Sequence, residues 1–180
     1  RQVSPSRRSS DLGRFDGVLT TGATVSNLLG LVAGRQWCGE RVGVNIDADG
    51  AGVLPDLDIF AASPHASMIK DLSIAGIGRN RFTKVETLPG SEQTDIADLK
   101  AKLDASDARG KIVIASAGTV NATDFDDLEA IADLCAAYGA WLHVDAAFGM
   151  FAALDDRRSH FLNGIDRADS ITSDGHKWLN

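Results

Sequence analysis

The sequence predicts an α/β fold, a mostly parallel sheet with helices on both faces. Short β-rich runs alternate with helical patterns from Gly17 onward, and small or turn-forming residues follow the runs. A length of 180 residues with 44% hydrophobic content is enough to bury a core within one domain. The first run is GVLTT (17–21), followed by Gly22 and a helical stretch over 23–37 whose buried side is expected from Leu28, Leu29, Leu31 and Val32. DIFAA (58–62) is the next strand. It leads into SPHASMIKDLSIAGIG, where Ile69, Leu72, Ile74 and Ile77 mark a helix that loosens at its glycines. RFTKVET reads as a half-buried strand. Ile96, Leu99 and Leu103 in DIADLKAKLDA have helical spacing, with Thr94 as the expected cap. KIVIAS (111–116) is an apolar strand, and DFDDLEAIADLCAAYG is an amphipathic helix ending at Gly139. WLHVD and SITSD are the last two strands.

Charge and composition exclude some functions. A net charge of -7 and a pI near 5.0 argue against a sequence-independent grip on nucleic acid, which needs a basic face. No apolar run approaches the roughly 18 residues of a membrane span, so no membrane partner is expected. Cys38 and Cys135 are too few, in stretches too apolar, for a disulfide framework or a metal cluster. No metal is expected, and a reducing, cytoplasmic setting fits. Residues 1–16 are polar and read as a linker or disordered terminus. Arg and Ser dominate there as in a transit peptide, but Asp11 and Asp16 oppose that reading.

Ligands of open parallel sheets bind beyond the carboxyl ends of the strands, so the residues that follow each strand carry the interest. In TTGATVSN, Gly22, Ala23 and Thr24 begin a helix whose free N–H groups suit an anion, although small residues there also serve as simple capping. The segment has neither a G-x-G-x-x-G pattern nor a P-loop. Asp145 ends WLHVD ahead of Ala146 and Ala147. It presents a carboxylate with room above it, or caps the next turn. His143 shares that strand face at greater depth and reads as a hydrogen-bonded core histidine. Lys177, in TSDGHKW after a strand, has an apolar and aromatic setting that desolvates an amine and makes it nucleophilic, whereas most lysines are solvated. His176 beside it is either a surface residue or a phosphate or proton-transfer group.

An anion cup, a carboxylate and an aldehyde-reactive lysine match the phosphate, ring nitrogen and carbonyl of pyridoxal 5'-phosphate (PLP). The segments TTGATVSNLLGL, SPHASMIKDLSIAGIG, SAGTVNATDFDDLEAI, WLHVDAAFG and ADSITSDGHKWLN resemble the group II PLP-dependent amino-acid decarboxylases, which include the aromatic-amino-acid and glutamate decarboxylases. The resemblance implies a type I PLP-dependent transferase-like large domain over 17–180. It implies PLP as cofactor, with Ala23 and Thr24 on its phosphate, Thr119 beside its ring, and His65 stacked on the ring and orienting the substrate carboxylate. Asp145 then partners the ring nitrogen, Ala147 packs against the ring, Asp174 and His176 lie near the phosphate, and Lys177 is the Schiff-base lysine. Relatives often carry Ser or Asn at the position of Asp174, where a carboxylate repels phosphate unless it caps backbone N–H groups.

The implied activity is a lyase of amino-acid and carboxylic acid metabolism, acting in the cytoplasm as a homodimer on a small-molecule amino acid. Other readings are a cysteine-desulfurase-like or aminotransferase-like enzyme, and a non-catalytic PLP-binding fragment. The resembled fold continues past Asn180, places a further strand beside GVLTT, and closes its site with a later segment and a second subunit. Residues 17–180 are therefore expected to be a partial, truncated large domain that does not turn over substrate alone.

Overall fold

The computed structural model describes residues 16–53 and 56–179; residues 1–15 of the expected terminal linker lie outside the described residues. Among the described residues five strands form one sheet: β1 (Leu57–Ala61), β2 (Phe82–Lys84), β3 (Gly110–Ser116), β4 (Trp141–Asp145) and β5 (Ser170–Thr172). Their order is β2-β1-β3-β4-β5, and every neighbouring pair is parallel. The chain moves outward from β1 to β2 and returns to β3, so the order reverses between β1 and β3, where such sheets open a crevice.

Alternation along the strands divides the core into two layers. Ile59, Ala61, Ile112 and Ile114 pack with Leu31, Met68 and Leu72 from helices α1 (Ala23–Arg41) and α3 (Ala66–Ile74). Phe60, Val113, Ala115, Leu142 and Val144 pack with Leu99 and Leu103 of α4 (Ile96–Ala105) and with Leu128 and Ile131 of α5 (Leu128–Tyr138). A single helical turn, α2 (Ile46–Asp49), follows α1. Cys38 and Cys135 fall in opposite layers, and burial pushes their thiols up to about 11 and about 12.

The expected run at 17–21 forms no strand. Val18 is 73% exposed, and no described strand pairs with the run. β propensity does not hold a strand without a neighbour's ladder. α1 runs past Trp37 to Arg41, and its buried line is Asn27, Gly30, Leu31, Gly34 and Cys38, with Leu29 on the exposed side. Ile74 is also exposed, at the end of α3. Asp95, not Thr94, caps α4, its side chain accepting from Ala97 N and Asp98 N. Thr94 is instead buried and donates its N–H to Asp126. α5 starts at an Asp127 cap and stops at Gly139, whose left-handed φ of 62° closes the last turn as its position suggested.

Candidate active site

Strand register places the polar residues. Ser116, Asp145 and Thr172 are neighbours across β3, β4 and β5, with His143 and Ser170 paired one layer deeper on the same face. α1 lies over that face, and its N-terminus stands beside the strand ends. The result is a cavity of about 680 Å³, within the range of small-molecule sites. Every residue the sequence singled out for cofactor contact lines it: Ala23, Thr24, His65, Thr119, Asp145, Ala147, Asp174, His176 and Lys177.

α1 opens on Gly22 with no side-chain cap and no acidic residue in its first turn, so its first N–H groups and the Thr24 hydroxyl can meet an anion. Asp145 is held at both oxygens. Oδ1 accepts from Ala147 N at 3.2 Å and Oδ2 from Asn27 Nδ2 at 2.9 Å. Lys177 sits in a 3-10 turn, Gly175–Lys177, with Nζ 3.8 Å from the centroid of the Phe148 ring. Its aromatic neighbour is thus Phe148 of the HVDAAFG segment. Trp178 instead stacks on Phe151, the centroids 6.2 Å apart.

Asp174 does what a carboxylate at that position requires: Oδ1 accepts from His176 N at 3.2 Å and pairs with His176 Nδ1 at 2.6 Å, while Oδ2 is buried without a hydrogen-bond partner. Burial alone pushes this carboxyl up, but the His176 contacts hold it below the usual range. His65 caps α3, its Nδ1 accepting from Ser67 N at 3.2 Å, and this leaves Nε2 as the ring's N–H donor. The Thr119 hydroxyl oxygen accepts from Asp124 N at 3.1 Å.

Several cavity residues escaped the sequence reading. Glu92 enters from the loop after β2 and accepts from Asn121 Nδ2 at 2.8 Å and Ala122 N at 3.1 Å; the Thr119 hydroxyl first, then these donors, hold its carboxyl low. Phe148 and Asn27 also line the wall. Asn27 falls one turn after Ala23 on the same helix face, a spacing that could have revealed it. His143 is fully buried and hydrogen-bonded, as its place in the strand suggested; burial, opposed by the nearby Asp145, takes its imidazole down to about 4.

The chain belongs to the family of the pyridoxal-dependent decarboxylase conserved domain, which it matches over residues 5–180. It is 34% identical over 176 residues to an L-2,4-diaminobutyrate decarboxylase of Acinetobacter baumannii, covering 89% of this chain and 34% of that protein. The fold is that of mouse CSAD in apo form, with a TM-score of 0.83 and 32% identity over 91% of this chain and 34% of that one. It is also that of Oryza sativa TDC with PLP and tryptamine, with a TM-score of 0.80 and 31% identity over 90% of this chain and 34% of that one. The chain therefore spans about a third of the length of these relatives. The α/β fold, the family and its pyridoxal cofactor agree with what the motifs implied. No helix among the described residues is long and apolar enough to cross a membrane.

Proposed function

We propose that residues 17–180 form the cofactor-binding part of a PLP-dependent amino-acid decarboxylase, which converts an L-amino acid to an amine and carbon dioxide. One observation carries the reading: the Lys177 amine, the Asp145 carboxyl and the uncapped start of α1 meet in a single cavity at the carboxyl edge of the sheet. This donor set fits PLP, which offers an aldehyde, a basic ring nitrogen and a phosphate. When bound, PLP supplies the electron sink that lets carbon dioxide leave from an amino acid's Cα.

The chain's own residues do the rest. The first amides of α1, Ala23 and Thr24 among them, hold the phosphate by N–H donation along the helix dipole, with the Thr24 hydroxyl as a further donor. Asp145 would partner the ring nitrogen and hold a proton there. Ala147 and Thr119 leave room at the ring. His65, fixed by its cap to donate from Nε2, orients the substrate carboxylate. Lys177 would hold the aldehyde end of PLP through Nζ, which the Phe148 ring keeps at the cavity wall. His176 and the capped Asp174 complete the phosphate end. The proposal extends to a homodimer, which the resemblance supports, and to a cytoplasmic setting, which the free buried thiols support.

The test uses the full-length protein. Borohydride reduction after addition of PLP, then peptide mapping, is expected to find the pyridoxyl group on Lys177; a label on another lysine overturns the assignment. A panel of aromatic, acidic and diamino acids is expected to release carbon dioxide from at least one. Sulfide from cysteine, or keto acid without carbon dioxide, would replace decarboxylation with desulfurase-like or aminotransferase-like chemistry. PLP binding with no reaction on any of them would leave a non-catalytic binder.

A further inference from the structure

Asp145 is the end of a line of hydrogen bonds, buried at His143 and Asn27, that crosses from β4 and β5 to α1. Trp141 Nε1 lies 3.0 Å from Ser170 Oγ, and Ser170 Oγ lies 2.8 Å from His143 Nδ1. His143 Nε2 lies 3.1 Å from Asn27 Oδ1, and Asn27 Nδ2 lies 2.9 Å from Asp145 Oδ2. Chemistry at the two ends sets the direction of every bond. An indole N–H only donates, so Ser170 Oγ accepts from Trp141 and could take either role toward His143 Nδ1. The Asp145 end decides, because a carboxylate accepts from Asn27 Nδ2 and so leaves Oδ1 to accept from His143 Nε2 and Nδ1 to accept from Ser170. With Nδ1 accepting, the imidazole carries its proton on Nε2 and donates to Asn27 Oδ1. The Asn27 amide then has its NH2 side toward Asp145, and a carboxylate oxygen accepts it.

We infer that Asn27, His143 and Ser170 are positioning residues, a one-way hydrogen-bond chain anchored on Trp141 that holds the Asp145 carboxyl in a single orientation. Register, burial and close helix approach place the members for this. Ser170 is in register with His143, and the imidazole is fully buried. Asn27 is 2% exposed, far below the usual exposure of an amide side chain. Gly30 makes the room, since a Cβ there would lie 2.4 Å from His143 Nδ1 and Cε1. Burial also favours the neutral imidazole that the chain's direction requires. With Ala147 N on the other oxygen, both Asp145 oxygens are tethered before any ligand arrives.

The neutral tautomer has a consequence of its own. An imidazolium at His143 would draw on the negative charge of Asp145, which a protonated ring nitrogen needs for itself. A neutral chain orients the carboxyl and leaves its charge to the ligand. This consequence rests on the reading that Asp145 meets the PLP ring; the orientation of the chain does not.

The test is long-range proton–nitrogen NMR on the full-length protein with labelled histidine, at pH 7 and without PLP, the His143 signals being assigned by their loss in His143→Gln. His143 is expected as the Nε2–H tautomer. Ser170→Ala leaves the Asn27 acceptor in place and is expected to keep Nε2–H, whereas Asn27→Leu removes that acceptor and is expected to bring in the Nδ1–H form, donating to Ser170 Oγ. Asn27→Leu also removes a donor to the Asp145 carboxylate and is expected to weaken PLP binding by absorbance titration about tenfold or more. A wild-type Nδ1–H tautomer or imidazolium overturns the inference without any variant. So does a Ser170→Ala protein in the Nδ1–H form, or an Asn27→Leu protein with an unchanged tautomer or unchanged PLP affinity. A wild-type Nε2–H tautomer in a protein that binds no PLP would sink the decarboxylase reading and leave the chain standing.

Discussion

Gly30→Ala is expected to destabilise the protein, although helix propensity alone gives the opposite sign. In a helix interior, Ala is favoured over Gly by about 1 kcal/mol. Here the new methyl carbon would lie 2.4 Å from two ring atoms of His143, against an ordinary contact of about 3.5–4.0 Å. The ring cannot retreat freely, because Nδ1 and Nε2 are bonded to Ser170 and Asn27 inside a buried layer. Overpacking costs about 1–3 kcal/mol, and parting one buried hydrogen bond adds about 1–3 kcal/mol. Subtracting the propensity gain leaves a net loss of about 1–5 kcal/mol. Gly39→Ala is the internal control: its methyl would meet Ile46 Cδ1 at 2.6 Å, the free end of a flexible side chain, so the loss should be smaller. Urea unfolding of both variants against wild type measures the difference. A Gly30→Ala protein as stable as wild type, or less affected than Gly39→Ala, would refute the argument that His143 is locked.

Asp145→Asn is expected to lower turnover of the full-length enzyme more than a hundredfold, the loss that follows from about 3 kcal/mol of transition-state stabilisation; steady-state carbon dioxide release checks it. Asp126→Ala should cost about 2–4 kcal/mol in urea unfolding, since Asp126 accepts from Ser116 N and Thr94 N, both at 2.7 Å, and its loss strands two buried donors. His143 sets a pH window: its ordinary value of 6.5 falls to about 4 on folding, chiefly by burial, so its contribution is complete above about 6.5 and is lost as pH falls toward 4. That loss is about 3 kcal/mol by linkage, and the fall between pH 7 and 4 should be shallower in His143→Gln.

The strands and the cavity were legible because they depend on local pattern. Apolar runs such as KIVIAS and WLHVD need buried faces, and a parallel sheet brings the residues after them to one edge, so His65, Thr119, Asp145 and Lys177 converge without further information. What failed to show depends on neighbours distant in the chain. GVLTT has β propensity but no ladder partner among the described strands, and Leu29 and Ile74 are apolar residues on faces that the fold leaves open. Asp95 rather than Thr94 caps α4 because the Thr94 side chain, with its N–H, is turned to the Asp126 carboxyl, a long way along the chain. Asn27 and Ser170 look like ordinary polar residues until strand register sets Ser170 beside His143 and α1 lays Asn27 over both. A carboxylate's support can therefore be invisible in a motif that displays the carboxylate itself.

α1 links the two ends of the proposed cofactor site. Ala23, Asn27, Gly30 and Gly34 recur at helical spacing on the face turned to the sheet, where Asn27, Gly30 and Gly34 are buried. The first of them belongs to the proposed phosphate cup, the second holds Asp145, and the two glycines let the helix approach His143 and Trp141. At 1.5 Å per residue the cup and the Asn27 amide are separated by roughly 6 Å along a rigid rod. Seating the phosphate and orienting the ring's carboxylate partner are therefore not independent adjustments. A substitution that lifts α1 from β4 moves both, so variants at Gly30 and Gly34 should weaken PLP binding together with stability, whereas a change confined to Thr24 should weaken binding alone.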